Sequence, residues 1–383
     1  MKRNIAVIFG GRSAEHDVSI ITAHIPIINS LLAIGSFNIY PVYISKTGVW
    51  YSNSDMINMD YFKGNFEERL IKKDIVNLSV NNGLSLLFSG IFAKSVNIDL
   101  VFPAMHGTFG EDGSLMGLLR MAQVPFVGCD LFASAVAMDK VLTKQVLFAE
   151  NIDIVPYTWF TKSDWEKDKN SIMEKINNLN WPLFVKPVHL GSSIAITQVK
   201  DASQLSNAIE VALHYDDKVL VEESVPDLIE VTLPIMGNDD LVLAGVERPL
   251  TNKFFDFESK YLSGSKKGIG VNAQTTEIPA NISKELIDKV NSLGLRTYRV
   301  LGCSGIARVD FLINSAINKI YVNEVNTLPG SLYHHNWKKM GMSNVELVSK
   351  LISLAEDRFN SQKDIIHAFK SDILSKMNRG NKS

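Results

Sequence analysis

Only two cysteines, Cys129 and Cys303, occur in 383 residues, and neither has a CxxC partner or an adjacent histidine. That excludes a zinc knuckle and a disulfide framework, and it fits a reducing, cytoplasmic compartment. Charge of one sign is also missing. With 39 Lys and Arg against 41 Asp and Glu, the net charge is -2, so there is no bulk electrostatic reason to bind nucleic acid or an anionic membrane. Any phosphate must therefore be held by local groups. Long hydrophobic runs are absent too: Ile5–Phe9 gives way to Gly10-Gly11-Arg12, too short for a signal peptide, and no stretch is predicted to span a bilayer. There is no internal repeat and no low-complexity segment. What is there is a chain 46% hydrophobic and 21% charged, enough for ordinary cores in two or three domains.

The order of segments predicts an α/β chain. Ile5–Phe9 reads as a buried strand ending in Gly10-Gly11, and Ser19–Leu32 has helical apolar spacing, so the chain opens with a strand, a glycine turn and a helix. Ile39–Ile44 and Ile98–Pro103 read as further strands, with an irregular polar elaboration over 47–95 between them. Ala133–Glu150 reads as one helix. Leu183–Pro187, Ala195–Val199 and Lys218–Glu223 read as strands of a small second domain, with Ala202–His214 a helix. Strands from Glu230 to Glu247 and from Gly305 to Glu324, with helices at Ser283–Leu301 and Ser343–Arg358, build a third. The tail 364–383 reads as one amphipathic helix.

Candidate chemistry gathers near the ends of strands. In Ile320-Tyr-Val-Asn-Glu324-Val-Asn326, the carboxylate and the amide alternate with apolar residues and share a face. Asp310, two residues after Arg308 in a second such run, adds an oxygen donor. Three oxygen donors suit Mg²⁺, which completes its octahedron with phosphates and water. A solvated face of an antiparallel sheet is the plainer alternative for either strand alone. Lys186 ends a strand just before Pro187, and Gly191-Ser192-Ser193 follows at loop distance, with backbone N–H groups and hydroxyls suited to a polyphosphate. A plain turn would look similar. Lys140 offers a second cation, and Glu222 and Glu223 end the next strand, where carboxylates can accept from adenine and ribose or simply face solvent.

The motifs, taken in order, resemble the D-alanine:D-alanine ligase family of the ATP-grasp superfamily. The matching segments are Gly10-Gly11-Arg-Ser13-Ala-Glu15-His16-Asp-Val18-Ser19, His106-Gly107 with Gly110-Glu111-Asp112-Gly113, Met138-Asp139-Lys140, Val185-Lys186-Pro187 and Gly191-Ser192-Ser193. Glu258-Ser-Lys260-Tyr261, Arg308-Val-Asp310 and Asn323-Glu324-Val-Asn326-Thr-Leu-Pro329-Gly330 complete the set. The resemblance runs from Ile5 to about Arg358. It implies a three-domain ATP-grasp fold: a Rossmann-like pre-ATP-grasp domain over 1–137, a central domain over 138–219, and a C-terminal domain over 220–383 with a mobile lid near 261–277.

Site roles follow from the resemblance, position by position. Lys140 and Lys186 match lysines that grip ATP phosphates, with Ser192 and Ser193 in the phosphate loop, and Lys260 matches the lysine that reaches the γ-phosphate. Glu222 and Glu230 match nucleotide-contacting carboxylates, with Glu223 beside them. Asp310, Glu324 and Asn326 match the ligands of Mg²⁺, for which Mn²⁺ can substitute. Glu15 matches the anchor for the first amino acid's ammonium and, with Ser192 and Tyr261, the trio that fastens the lid. Arg308 and the N–H of Gly330 match the oxyanion donors, and His106 a histidine near the first substrate. The implied reaction joins D-alanine to a second D-amino acid through an acyl phosphate, for peptidoglycan precursors. The implied partners are small amino acids, and the implied assembly is a homodimer, without nucleic acid or membrane.

Three departures bear on the substrate. The lid between Tyr261 and Pro279 is longer than the family's, and Ala195 stands where a glycine closes the phosphate loop. After Gly330 the family's small hydroxyl residues give way to Ser331-Leu-Tyr333-His334-His335-Asn336-Trp337. A histidine can pair with a carboxylate when cationic, so His334 or His335 is expected near the second substrate, and the nucleophile is expected to differ from D-alanine or extend beyond it. Other readings left open are a secondary-metabolite dipeptide ligase, a non-catalytic nucleotide-binding regulator, and a biotin-carboxylase-like role.

Overall fold

The computed structural model describes residues 2–81, 83–88, 94–250 and 276–366, with a few isolated positions beyond. Lys260, Tyr261, the lid to residue 275 and most of the tail 364–383 lie outside the described residues.

Strand β1 (Arg3–Gly10) pairs in parallel with β2 (Phe37–Ile44), and β3 (Trp50–Tyr51) extends the edge. The 47–95 segment is more regular than its polar composition predicts. It contains β4 (Val76–Ser79) and β5 (Leu84–Phe88), which with β6 (Ser95–Ile98) make a three-stranded antiparallel sheet. The signal is faint because Val76, Leu84 and Leu86 bury short side-chain rows on one face only. The run Ile98–Pro103 is likewise two strands, β6 and β7 (Leu100–Pro103), broken at Asp99, whose carboxylate accepts the Asn4 N–H at 2.7 Å. β7 then pairs in parallel with β1, giving the sheet order β3-β2-β1-β7.

One helical path runs from His16 to Ile34, long and apolar enough by composition to cross a membrane, against the expectation above. In this fold 61% of it is buried, and Ile20, Ala23, Ile27, Ile28 and Leu31 pack into the core beneath β1. Pro26 sits inside it, in a π-helical segment Ala23–Ile28. Proline lacks the N–H and crowds the preceding turn, and a widened turn absorbs both faults.

The central sheet has the order β10-β9-β11-β8, all antiparallel, from β8 (Tyr157–Thr161), β9 (Leu183–Pro187), β10 (Thr197–Val199) and β11 (Lys218–Glu223). Helix Ala202–Tyr215 covers it through Leu205, Ala208, Ile209 and Ala212. The C-terminal sheet is built from β12 (Leu228–Gly237), β13 (Val242–Leu243), β16 (Gly305–Asn314) and β17 (Lys319–Asn326), ordered β13-β12-β16-β17. β14 (Arg248–Pro249) and β15 (Thr276–Glu277) pair with each other. The predicted helix over 133–150 is two, Leu131–Met138 and Lys140–Ala149. Asp139 breaks it, adopting an extended backbone and accepting the N–H groups of Val141 and Leu142 at 2.8 and 2.9 Å. An aspartate gains more from capping a new helix than from sitting inside an old one.

Candidate active site

Four polar side chains form a square on the C-terminal sheet. The β16–β17 register sets Arg308 opposite Asn326 and Asp310 opposite Glu324, so alternation puts all four on one face. Arg308 donates from Nε and Nη2 to the two oxygens of Asp310 at 2.7 and 2.6 Å. Asn326 donates to Asp310 at 3.1 Å. A register shift just after Asp310 interrupts the ladder at the site, a common device for aiming side chains. Two carboxylates and an amide oxygen, with no sulfur or imidazole among them, are a hard-cation donor set and fit Mg²⁺ or Mn²⁺.

A second cluster lies on the central sheet. Glu222 is 1% exposed and takes an ammonium on each side: Lys186 through a hydrogen bond and Lys144 through an ion pair of 2.9 Å made outside good hydrogen-bond angles. Burial alone would raise its pKa, but the Lys144 and Lys186 charges outweigh that and bring it to about 2. Burial lowers the pKa of Lys144, against the pull of Glu222. Lys140 opens the helix that Asp139 caps, and its Nζ donates to the Leu190 carbonyl at 2.6 Å. The ammonium is thereby set beside Gly191-Ser192-Ser193. Lys218 at 2.8 Å and His189 at 3.3 Å brace Asp139 from the other side.

The loop expected to hold phosphates is left-handed at Ser192 (φ 53°), Ser193 (φ 58°) and Ala195 (φ 55°). Ala195 thus keeps the backbone that suits glycine, at a cost of about 1 kcal/mol. Ser192 donates its hydroxyl to Glu15. Glu15 precedes helix His16–Thr22, and its loop is held by His16, which bonds the Gly11 carbonyl at 2.7 Å and the Tyr43 hydroxyl at 3.0 Å, and by Ser19, which accepts the Gly10 N–H at 2.7 Å. Gly107 approaches so closely that a Cβ there would stand 2.9 Å from Glu15 Oε2 and 2.5 Å from Ser13 Oγ. Its N–H donates to Glu111 at 2.7 Å. Burial, and then the charge of Glu15, push the Glu111 carboxyl up to about 8.

His106, 2% exposed, bonds Thr22 Oγ1 at 2.8 Å, and burial brings its pKa down to about 4. Past Gly330 the chain makes a tight turn in which Ser331, Leu332 and Tyr333 are all left-handed, with φ of 51°, 53° and 52°. The turn lays the Tyr333 ring over Arg308 at 4.9 Å and its hydroxyl 3.2 Å from Thr232 Oγ1. His335 faces the buried Glu247 at 2.9 Å, and His334 faces Asn344 at 3.2 Å. Glu223 accepts two hydrogen bonds from Asn180, both of 2.9 Å. Glu230 lies on β12 opposite Leu312. A cavity of about 800 Å³ is lined by Phe148, Tyr157, Trp159 and Lys175, and the Tyr157 ring lies 5.4 Å from the Lys144 ammonium.

Comparison with known proteins decides the family. The profile described as D-ala D-ala ligase N-terminus matches residues 4–129, and that described as D-ala D-ala ligase C-terminus matches 146–353. The chain belongs to the D-alanine–D-alanine ligase family. A D-alanine–D-alanine ligase of Thermosipho africanus is 36% identical over 372 residues, covering 97% of this chain and 98% of the relative. Among solved structures, the D-alanine-D-alanine ligase from Coxiella burnetii superposes with a TM-score of 0.78 at 27% identity, covering 100% of this chain and 99% of that one. The VanG D-Ala:D-Ser ligase from Enterococcus faecalis gives 0.76 at 32% identity, over 93% and 100%. The three-domain ATP-grasp architecture expected from the motifs is therefore the fold of this chain.

Against this family background, the fold brings together residues of the three four-stranded sheets and their flanking loops. Arg308, Asp310, Glu324 and Asn326 come together, as do Glu15 and Ser192, and Lys186 and Glu222. Glu223 is drawn off toward Asn180, and Lys260 and Tyr261 lie outside the described residues. Sequence reasoning passed over Lys144, although it follows Lys140 by one helical turn. It quoted Glu111 without a role and overlooked Thr22, whose partner lies 84 residues away.

Proposed function

We infer that this chain is an ADP-forming, ATP-dependent D-alanine–D-alanine ligase that supplies a dipeptide for peptidoglycan precursors. The observation that carries this reading is the hydrogen bond from Ser192 to Glu15. A carboxylate becomes a target for an amine only after one of its oxygens is made a leaving group. An enzyme that phosphorylates an amino acid must therefore bring the anchor for its ammonium and the loop for the phosphates together. Glu15 and Ser192 are in contact across the central and N-terminal sheets.

In this mechanism Glu15 holds the first D-alanine by its ammonium, with neutral His106 nearby. Lys140, Lys186 and Lys260, with Ser192 and Ser193, grip the phosphates, while Glu222, Glu223 and Glu230 serve the nucleotide side. Mg²⁺ or Mn²⁺, which Asp310, Glu324 and Asn326 would hold, offsets the negative charge of the phosphates. The substrate carboxylate attacks the γ-phosphorus and ADP leaves. The second amino acid's amine then attacks the acyl phosphate carbon, loses a proton, and inorganic phosphate departs. Arg308 and the Gly330 N–H stabilise the oxyanion between these events, at about 3 kcal/mol per donor. Tyr261 and the lid over 261–277 exclude water, which would otherwise hydrolyse the acyl phosphate.

The second substrate has its own reading. The left-handed turn over Ser331–Tyr333 and the ring laid over Arg308 favour Tyr333, with His334 and His335 behind it, as the wall that selects the nucleophile. D-alanine or another small D-amino acid such as D-serine fits this reading. The family resemblance supports the three domains at 1–137, 138–219 and 220–383, a homodimer, and a cytoplasmic site of action. ADP release from ATP with panels of D- and L-amino acids, and mass spectrometry of the products, tests the assignment. D-alanyl dipeptides are expected, and ATP turnover without peptide formation would overturn it.

A further inference from the structure

Three side chains of the N-terminal domain converge on the backbone around Gly330. Thr22 Oγ1 accepts the Ser331 N–H at 2.9 Å and, on its other side, bonds His106 Nε2 at 2.8 Å. The Leu328 backbone also lies close enough to the His106 ring to oppose the effect of burial on it. Glu111 lies close enough to the Leu328 backbone for that backbone to act on its carboxyl, and it takes the Gly107 N–H at 2.7 Å. Leu328 and Ser331 flank Pro329-Gly330, so the segment is taken on both sides of Gly330. The grip crosses 309 residues of sequence between Thr22 and Ser331.

We propose that Thr22, His106 and Glu111 are positioning residues that clamp Leu328–Ser331, and with it the Gly330 N–H, against the N-terminal domain. This rests on the ligase reading above and deepens it. An oxyanion donor works only if it is held where charge develops, and the tight left-handed turn that follows cannot define that place from one domain alone. A clamp set by a second domain ties the position of the donor to the position of Glu15, which shares the loop at Gly107 with Glu111. The charged groups facing the clamp are Glu15 and Arg308 at Glu111, and Arg308 at His106. The His106 ring is neutral at physiological pH, so its hydrogen bonds do not depend on a titration there.

The test separates the two half-reactions. Thr22→Val keeps the side-chain shape and deletes the acceptor for Ser331, and Thr22→Ser restores it. Thr22→Val is expected to lower kcat for dipeptide formation about tenfold or more, with KM for ATP within about twofold. Positional isotope exchange within ATP, run with the first amino acid alone, should persist, since it needs only acyl phosphate formation. Thr22→Ser should recover most of the kcat. Hydrogen–deuterium exchange gives an activity-independent reading: the Ser331 amide should exchange about tenfold faster in Thr22→Val, while the core of β1 stays protected. Should Thr22→Val fail to fold, Thr22→Ala takes its place, with Ser331 again as the reporting amide. Wild-type kcat and unchanged Ser331 exchange in a folded variant would overturn the clamp. Equal losses in kcat and isotope exchange would overturn it too, by showing a general structural role. Absence of dipeptide formation by the wild-type protein would instead sink the ligase reading, and the exchange measurement would still decide the clamp.

Discussion

Arg308 and Asp310 stand two residues apart on one strand and grip each other through two hydrogen bonds of 2.7 and 2.6 Å. The proposed oxyanion donor and a proposed metal ligand are thus one unit, and each limits the freedom of the other. Arg308→Ala should lower kcat about a hundredfold while KM for ATP stays nearly unchanged. The Mg²⁺ concentration for half-maximal activity should fall, because Asp310 loses its competing cation. Steady-state kinetics with titrated Mg²⁺ checks both. A parallel loss in ATP affinity would move Arg308 to the nucleotide site.

Glu222 separates two ammonium groups in a dry part of the central domain. Removing its charge leaves Lys144 and Lys186 uncompensated, so Glu222→Gln should destabilise the protein by about 3–5 kcal/mol. The sign with pH follows from a carboxyl held at about 2 instead of its ordinary 4.5. Its stabilising contribution is present above pH 4.5 and is lost as pH falls from there toward 2. Acid unfolding followed by circular dichroism should show a shallower slope across that window in Glu222→Gln than in the parent.

Glu15 receives the Ser192 hydroxyl and is proposed to receive an ammonium. Glu15→Gln should raise KM for the first amino acid by about tenfold or more, since a charge-assisted contact becomes a neutral one. KM for the second should change little. If both stay put in a folded variant, the anchor lies elsewhere.

Tyr333, His334 and His335 offer three different routes to the second substrate. His335 already faces Glu247 at 2.9 Å, and burial lowers the pKa of His334, which faces Asn344. Tyr333 lies over Arg308. Tyr333→Ala should therefore change the ranking of nucleophiles in a D-amino-acid panel, with a shift in the second KM of about fivefold or more. His334→Ala and His335→Ala should alter it less. A larger effect from either histidine would return the carboxylate contact to an imidazole.

Much of the architecture was legible because it is local. Alternation in Ile306–Phe311 and Ile320–Asn326 requires strands with one polar face, and the apolar runs ending at Gly10 and Pro187 require buried strands. The motif order implied the ATP-grasp family, and the relatives bear that out. Elements that failed to announce themselves were those decided by single polar side chains or by one-sided burial: the break at Asp139, the break at Asp99, and the sheet of β4, β5 and β6. The widened turn at Pro26 kept one helix where a proline ordinarily ends it.

The sequence by itself determined which groups are available: Asp310, Glu324 and Asn326 on strands, Lys186 near a strand end, Lys140 at a helix start, and Glu15 in the loop before a helix. Tertiary structure alone decided how they are paired. Glu222 reads as an exposed strand end until helix Lys140–Ala149 brings Lys144 against it. Glu111 becomes a perturbed acid only when packing desolvates it and brings the charge of Glu15 beside it. Thr22 gains its partners from positions 84 and 309 residues away. Local sequence sets backbone preference within a few residues, whereas burial and charge pairing depend on contacts that exist only after distant segments have closed on one another.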